Sequence, residues 1–260
     1  MMTKPPDLPE LALSEEEIDE ILRRCDGRAV LIGGQALVFW AYHYGIAPAG
    51  TLGAHVTSDA DFLGSALVAR EMAEALKPRG WRYWQPSMDD ATPQTAKLSK
   101  LVEGQGVKQI DFLDDVMGLK REGVIRRAVT LRLPDGTRFQ LLHPLDVLES
   151  RLKNLALLPS KRGEQGVQQA RLALDVVRCF LQELVRKNEL RLLLNAIERV
   201  ARIAQDRSLF RVLHDFGLNV LDAVPVEQVP NEEFRSRRWP QIVEHVEAQR
   251  RAYAKRRTGK

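Results

Sequence analysis

Cysteine is scarce in this sequence. Cys25 and Cys179 are the only two in 260 residues, they lie far apart in stretches of helical pattern, and neither belongs to a metal-like cluster. A disulfide framework is excluded, and both residues read as reduced core thiols. The five histidines are scattered, and none has the paired spacing of a zinc site. No P-loop is present, and no Ser-His-Asp or Cys-His arrangement is visible in the sequence. No apolar run approaches the roughly 20 residues that a membrane-spanning helix needs. The first thirteen residues lack the basic start, long apolar core and small-residue cleavage site of a signal peptide. A cytoplasmic protein with no membrane partner is the resulting expectation.

What remains is an ordinary globular composition, 44% hydrophobic, with a formal net charge of +4. The length allows a substantial core and one or two domains. The modest basic excess favours nucleotide or nucleic-acid partners without requiring them.

The informative stretch runs from Val30 to Leu63. An apolar run breaks into Gly33-Gly34, an amphipathic helical pattern follows, and after a loop Asp59-Ala60-Asp61 stands between apolar neighbours. Two glycines after a strand let backbone approach a phosphate closely, and the first turn of the next helix offers unpaired N–H groups to the same anion. Residues i and i+2 of a strand share a face, so Asp59 and Asp61 have the spacing to share a divalent cation. Magnesium takes one or two carboxylates and leaves its other positions to water and substrate phosphates. Asp111, in the apolar run VKQIDFL, is a third carboxylate that joins them as ligand or base if the strands pair. The plain alternatives are a Gly-Gly turn, a polar loop end capping the helix near Ser65, and an edge-strand aspartate.

The order of these elements, Gly-Gly, helix, Asp-x-Asp, then a lone strand aspartate, resembles the polymerase-beta-like nucleotidyltransferase superfamily. More closely, GGQAL followed by HVTSDADFL resembles the AbiEii/AbiGii type of nucleotidyltransferase toxin, whose pattern is GGxAL and then a basic residue, x, Thr, x, Asp, x, Asp. The likeness covers about residues 29 to 180. His55 stands at the basic position, where a partly charged imidazole replaces a permanent cation. The resemblance implies Asp59, Asp61 and Asp111 as catalytic metal ligands for magnesium, two ions in all, with a nucleoside triphosphate as substrate. It implies Gly33, Gly34, Gln35 and Ser58 as nucleotide-binding residues. The family also carries a phosphate-binding lysine in the helix after its sheet, a role that falls on Lys153, with Arg151 as a weaker second. Lys161, Arg162, Arg171 and Asp175 fall near further basic residues of the family and an aspartate that orients a lysine, but out of register. A solvated helix face is the alternative for all of these.

Along the chain, a proline-rich flexible arm is expected over residues 1–13, an α/β domain over 14–143, and a helical domain with a basic tail over 144–260. Ser14 and Glu17 have capping-box spacing, and Ile18, Ile21, Leu22 and Cys25 form one helical stripe ending by Gly27. A strand at 29–32 precedes a strongly apolar helix in which Trp40 belongs to the core, although Trp40 and Tyr42 could stack a base. The glycine-rich segment 45–55 reads as a flexible loop. A helix over 65–76, strands near 81–84, 96–101 and 107–111, and a hairpin of strands 124–133 and 138–142 around Pro134-Asp135-Gly136 follow. The turn at Gly104–Gly106 makes the strand of Asp111 antiparallel to its predecessor. From Pro144 onward the periodicity is helical, with a linker at Pro225 and Pro230 before a last helix near Pro240. The fold class is therefore α+β, a nucleotidyltransferase-like mixed sheet flanked by helices and followed by a helical region.

The expected activity is transfer of a nucleoside monophosphate to an acceptor. The resemblance points to the 3' end of tRNA and to the toxin of a toxin-antitoxin or phage-defence system with a cognate antitoxin. The alternatives are a non-catalytic protein of this fold that binds nucleic acid or a partner, and a transferase acting on a protein or on a small molecule such as an aminoglycoside.

Overall fold

The computed structural model describes residues 8–47, 58–87, 89–90 and 92–258. Its first unit, residues 1–40 and 49–147, is built on a sheet. Helix α1 (Glu15–Cys25) opens with the expected capping box, the Ser14 side chain accepting from the Glu17 N–H and Glu17 reaching back to Ser14, and ends at Asp26 in the left-handed conformation. Its buried stripe is Ile21, Leu22 and Cys25, and burial pushes the Cys25 thiol up to about 12, which makes it inert near neutral pH.

The strands are β1 (Val30–Ile32), β2 (Ala60–Leu63), β3 (Arg82–Trp84), β4 (Gln94–Val102), β5 (Gly106–Leu113), β6 (Val129–Arg132) and β7 (Arg138–Leu141). Among the described residues they form one seven-stranded mixed sheet in the order β3-β4-β5-β2-β1-β7-β6. The pairs β2/β5 and β1/β7 are parallel, and the rest are antiparallel. Alternation sorts the side chains into two faces. Phe62 and Phe112 stack at 5.4 Å between centroids on one face, with Ala96, Leu98 and Ile110, all fully buried there. Helix α3 (Ala66–Leu76), capped by Ser65, lies against β3, β4 and α1. Asp61 and Asp111 belong to the opposite face.

Helix α2 (Gly33–His43) begins at the first residue after β1. The core reading of Trp40 holds: it is 4% exposed and its Nε1 donates to the Leu142 carbonyl at 2.8 Å, while Tyr42 is exposed. Residues 48–55 of the expected glycine-rich loop, His55 among them, lie outside the described residues. Part of the N-terminal arm is held in place, because Leu11 N donates to Val107 O and Val107 N donates to Pro9 O, both at 2.9 Å.

The strand expected from Val124 is a helix at its start. Helix α4 (Arg121–Arg127) ends only at Ala128, and β6 begins at Val129. Arg127, drawn out of the extended pattern, makes a two-pronged pair with Asp146, which is fully buried. Tertiary satisfaction of that carboxylate outweighs the β-propensity of Val124 and Ile125.

The second unit, residues 41–48 and 148–260, is helical. After α5 (Pro144–Leu157), which starts at the proline as expected, come α6 (Glu164–Arg186), α7 (Leu190–Ala204), α8 (Phe210–Asp215) and α9 (Trp239–Thr258). Arg162 caps the end of α5 by donating to the carbonyls of Leu155 and Ala156. The basic tail expected near the end is helical through Thr258.

Candidate active site

Three aspartates converge on one face of the sheet. Asp59 and Asp61 flank the start of β2, and Asp61 lies directly beside Asp111 in the parallel β2/β5 register. Ligand oxygens of Asp59, Asp61 and Asp111 all lie within 4.8 Å of one another. The i, i+2 spacing and the pairing of two strands were enough to foresee this.

The Asp111 carboxyl is pushed up to about 6, chiefly by burial, against the pull of Lys97 and with the help of Asp59. Its Oδ1 is buried and makes no hydrogen bond, and Lys97 Nζ stands 3.4 Å away at ion-pair distance. A buried, under-satisfied carboxylate oxygen facing two further carboxylates fits a hard divalent cation. An oxygen-only donor set of this kind suits magnesium or manganese rather than zinc.

The sign of the pH dependence follows. A carboxyl whose folded value is raised binds its proton more tightly in the folded state, so the metal-free fold keeps this contribution below the ordinary 3.8 and loses it as pH rises through about 6. By pH 7.5 the charged Asp111 then weighs about 3 kcal/mol against the metal-free protein. Asp111→Asn is expected to raise the melting temperature without metal by several degrees at pH 7.5, by about half as much at pH 5, and not at all below the ordinary value of 3.8. Thermal unfolding with chelator at these pH values checks this.

Gly33 occupies a tight place. Its φ is +67°, and a Cβ there would lie 2.0 Å from Asp61 Oδ2. The glycine therefore makes room for a carboxylate, a role not foreseen alongside phosphate contact. Gly34 and Gln35 are the second and third residues of α2 and are buried, so the start of that helix lies beside Asp61. Ser58 donates to Glu10 at 3.1 Å, which brings a fourth carboxylate to the neighbourhood and adds to the upward push on Asp111.

In the second unit, Lys153 Nζ is held by Asp206 at 2.5 Å and by Ser208 Oγ at 2.8 Å. The aspartate that orients this lysine is thus Asp206, and the out-of-register Asp175 is not its partner. Asp206 sits in the turn between α7 and α8, where its side chain also accepts from the Ser208 N–H, and nothing in local periodicity marked it. Lys97 and Gln109 beside Asp111 were likewise unforeseen, although the alternation of β4 placed Lys97 on the acid-bearing face.

No known family's sequence profile matches the chain, and no curated protein matches it. Among solved structures, the crystal structure of the Megavirus polyadenylate synthase is similar, with a TM-score of 0.40 and 14% identity over 64% of this chain. The match spans 35% of that protein's length. The carboxylate geometry and the motif order carry the functional reading instead.

Proposed function

We propose that the chain is a magnesium-dependent nucleotidyltransferase of the polymerase-beta-like superfamily, close to the AbiEii/AbiGii type. It transfers a nucleoside monophosphate from a nucleoside triphosphate to the 3' end of tRNA, acting in the cytoplasm as the toxin of a toxin-antitoxin or phage-defence pair with its own antitoxin. The observation that carries the reading is the convergence of Asp59, Asp61 and Asp111 within 4.8 Å, next to a helix that starts at Gly33. The Gly-Gly and Asp-x-Asp motifs and the basic charge support it. In this proposal the catalytic domain spans residues 14–143, a helical domain spans 144–260, and two magnesium ions serve the site.

Asp59, Asp61 and Asp111 would hold the magnesium, which when bound neutralises phosphate charge and favours loss of pyrophosphate. The first turn of α2, at Gly33, Gly34 and Gln35, has N–H groups without intrahelical partners, and these face phosphate oxygens. Asp111 orients the acceptor hydroxyl and takes its proton. The new bond joins that oxygen to the α-phosphorus, the bond to the bridging oxygen breaks, and pyrophosphate leaves. The three acids do the orienting work, because phosphoryl transfer asks little covalent chemistry of the protein.

The test is incubation with total tRNA, magnesium and each labelled nucleoside triphosphate in turn, with Asp61→Ala as control. Label in RNA with wild type alone supports the proposal and names the nucleotide. Transfer to protein or to a small molecule instead would replace the acceptor, and absence of nucleotide and metal binding would favour the non-catalytic alternative.

Lys153 enters the proposal as a phosphate ligand through the family's motif, with Ser58 in a supporting place beside Asp59. Because Asp206 and Ser208 fix the Lys153 ammonium, Lys153→Ala is expected to weaken nucleoside triphosphate binding about tenfold, the loss of a charge-assisted contact of ~1.5 kcal/mol. Titration calorimetry measures it, and unchanged affinity removes Lys153 from the site.

A further inference from the structure

Lysines on a sheet ordinarily extend their ammonium groups to water. Lys97 does not. It lies directly opposite Asp111 in the antiparallel β4/β5 register, its side chain is 18% exposed, and its Nζ is 3.4 Å from Asp111 Oδ1. The same nitrogen donates to Gln109 Oε1 at 2.6 Å. Gln109 precedes Asp111 by two residues on β5 and so shares its face, and it is 8% exposed. A buried amide and the third carboxylate of the triad thus share the donors of one lysine, in surroundings where charges act on one another more strongly than in water.

We propose that Lys97 is a positioning residue, the resident counter-cation of the acidic triad, which sets how tightly the site takes divalent metal. The inference rests on the metal-site reading above. Without metal, the ammonium neutralises Asp111 and limits repulsion among the three acids. A divalent ion that engages Asp111 meets that ammonium at close range and binds against its repulsion, whereas an ion held by Asp59 and Asp61 alone meets less of it. Gln109 shares the donors of Lys97 and so keeps the ammonium from being committed wholly to Asp111.

The probe is Mn2+ alone. Its binding is read by loss of the free-ion electron paramagnetic resonance signal and by thermal unfolding with and without the ion. Lys97→Met keeps the aliphatic stem and removes the charge. It is expected to bind Mn2+ about tenfold tighter, to melt lower than wild type without metal, and to gain more from added Mn2+. Lys97→Arg is expected to return affinity to near the wild-type value. Should Lys97→Met fail to fold, Gln109→Leu leaves the lysine to Asp111 alone and is expected to weaken Mn2+ binding about threefold.

Unchanged or weaker Mn2+ binding by folded Lys97→Met would overturn the inference, as would unchanged binding by Gln109→Leu. The two readings separate cleanly. Mn2+ binding that Asp61→Asn abolishes but Lys97→Met leaves untouched removes the role of Lys97 alone. A wild type with no Asp61-dependent binding removes the metal site and this inference with it.

Discussion

Asp61→Ala is expected to lower magnesium-dependent nucleotidyl transfer by ~1000-fold or more, a loss of ~4 kcal/mol of transition-state stabilisation, while the protein stays folded. The reason lies in the register. Asp61 lies beside Asp111 across β2/β5 and two residues from Asp59, so its removal takes one of the three ligands from the cluster. It does little for the core, since its neighbours Ala60 and Phe62 supply the buried face of β2. Without metal, its loss also relieves like-charge repulsion among the acids. Steady-state transfer assays beside circular dichroism measure both halves, and an unfolded variant would assign Asp61 a structural role instead. Mn2+ binding should fall in parallel with activity.

Gly33→Ala is expected to injure both fold and site. At φ +67° an L-residue loses roughly 1–2 kcal/mol of backbone energy, and the added methyl would lie 2.0 Å from Asp61 Oδ2. Relief of that overlap displaces either the carboxylate or the strand end, for roughly another 1–3 kcal/mol. The expected result is destabilisation of about 2–5 kcal/mol by chemical denaturation, with transfer lost to nearly the extent expected for Asp61→Ala. Full activity in Gly33→Ala would mean that Asp61 can leave its place without consequence. The neighbouring Gly34→Ala is the useful contrast, because Gly34 is the second residue of α2 and lacks the positive φ of Gly33.

Much of this was legible in the sequence. Period-two alternation placed Asp61 and Asp111 on strands, with Asp59 one residue before β2, and the turn at Gly104–Gly106 fixed the antiparallel partner of β5. The α+β class, the start of α5 at Pro144 and the core position of Trp40 followed from local pattern in the same way. Failures occurred where a distant residue decided the outcome. Val124 to Arg127 has strand-like composition, yet it ends helix α4, where Arg127 meets the buried Asp146. The sequence marks Gly33 for phosphate contact or a turn, since only the pairing of Ile32 with Asp61 reveals the carboxylate lying over it. Asp206 on Lys153, and Lys97 on Asp111, are partners across long sequence separations, and periodicity carries no information about such meetings.

The parallel pairing of β2 with β5 also bears on when the site exists. Parallel neighbours cannot be joined by a tight turn, so α3, β3 and β4 must be made and threaded before the two strands meet, and contacts of such long range form late and slowly. A chain still emerging from the ribosome, ending short of Asp111, carries Asp59 and Asp61 but not a completed triad. Synthesis order therefore leaves Asp59 and Asp61 waiting for Asp111, and the acidic cluster closes only once β5 has been made.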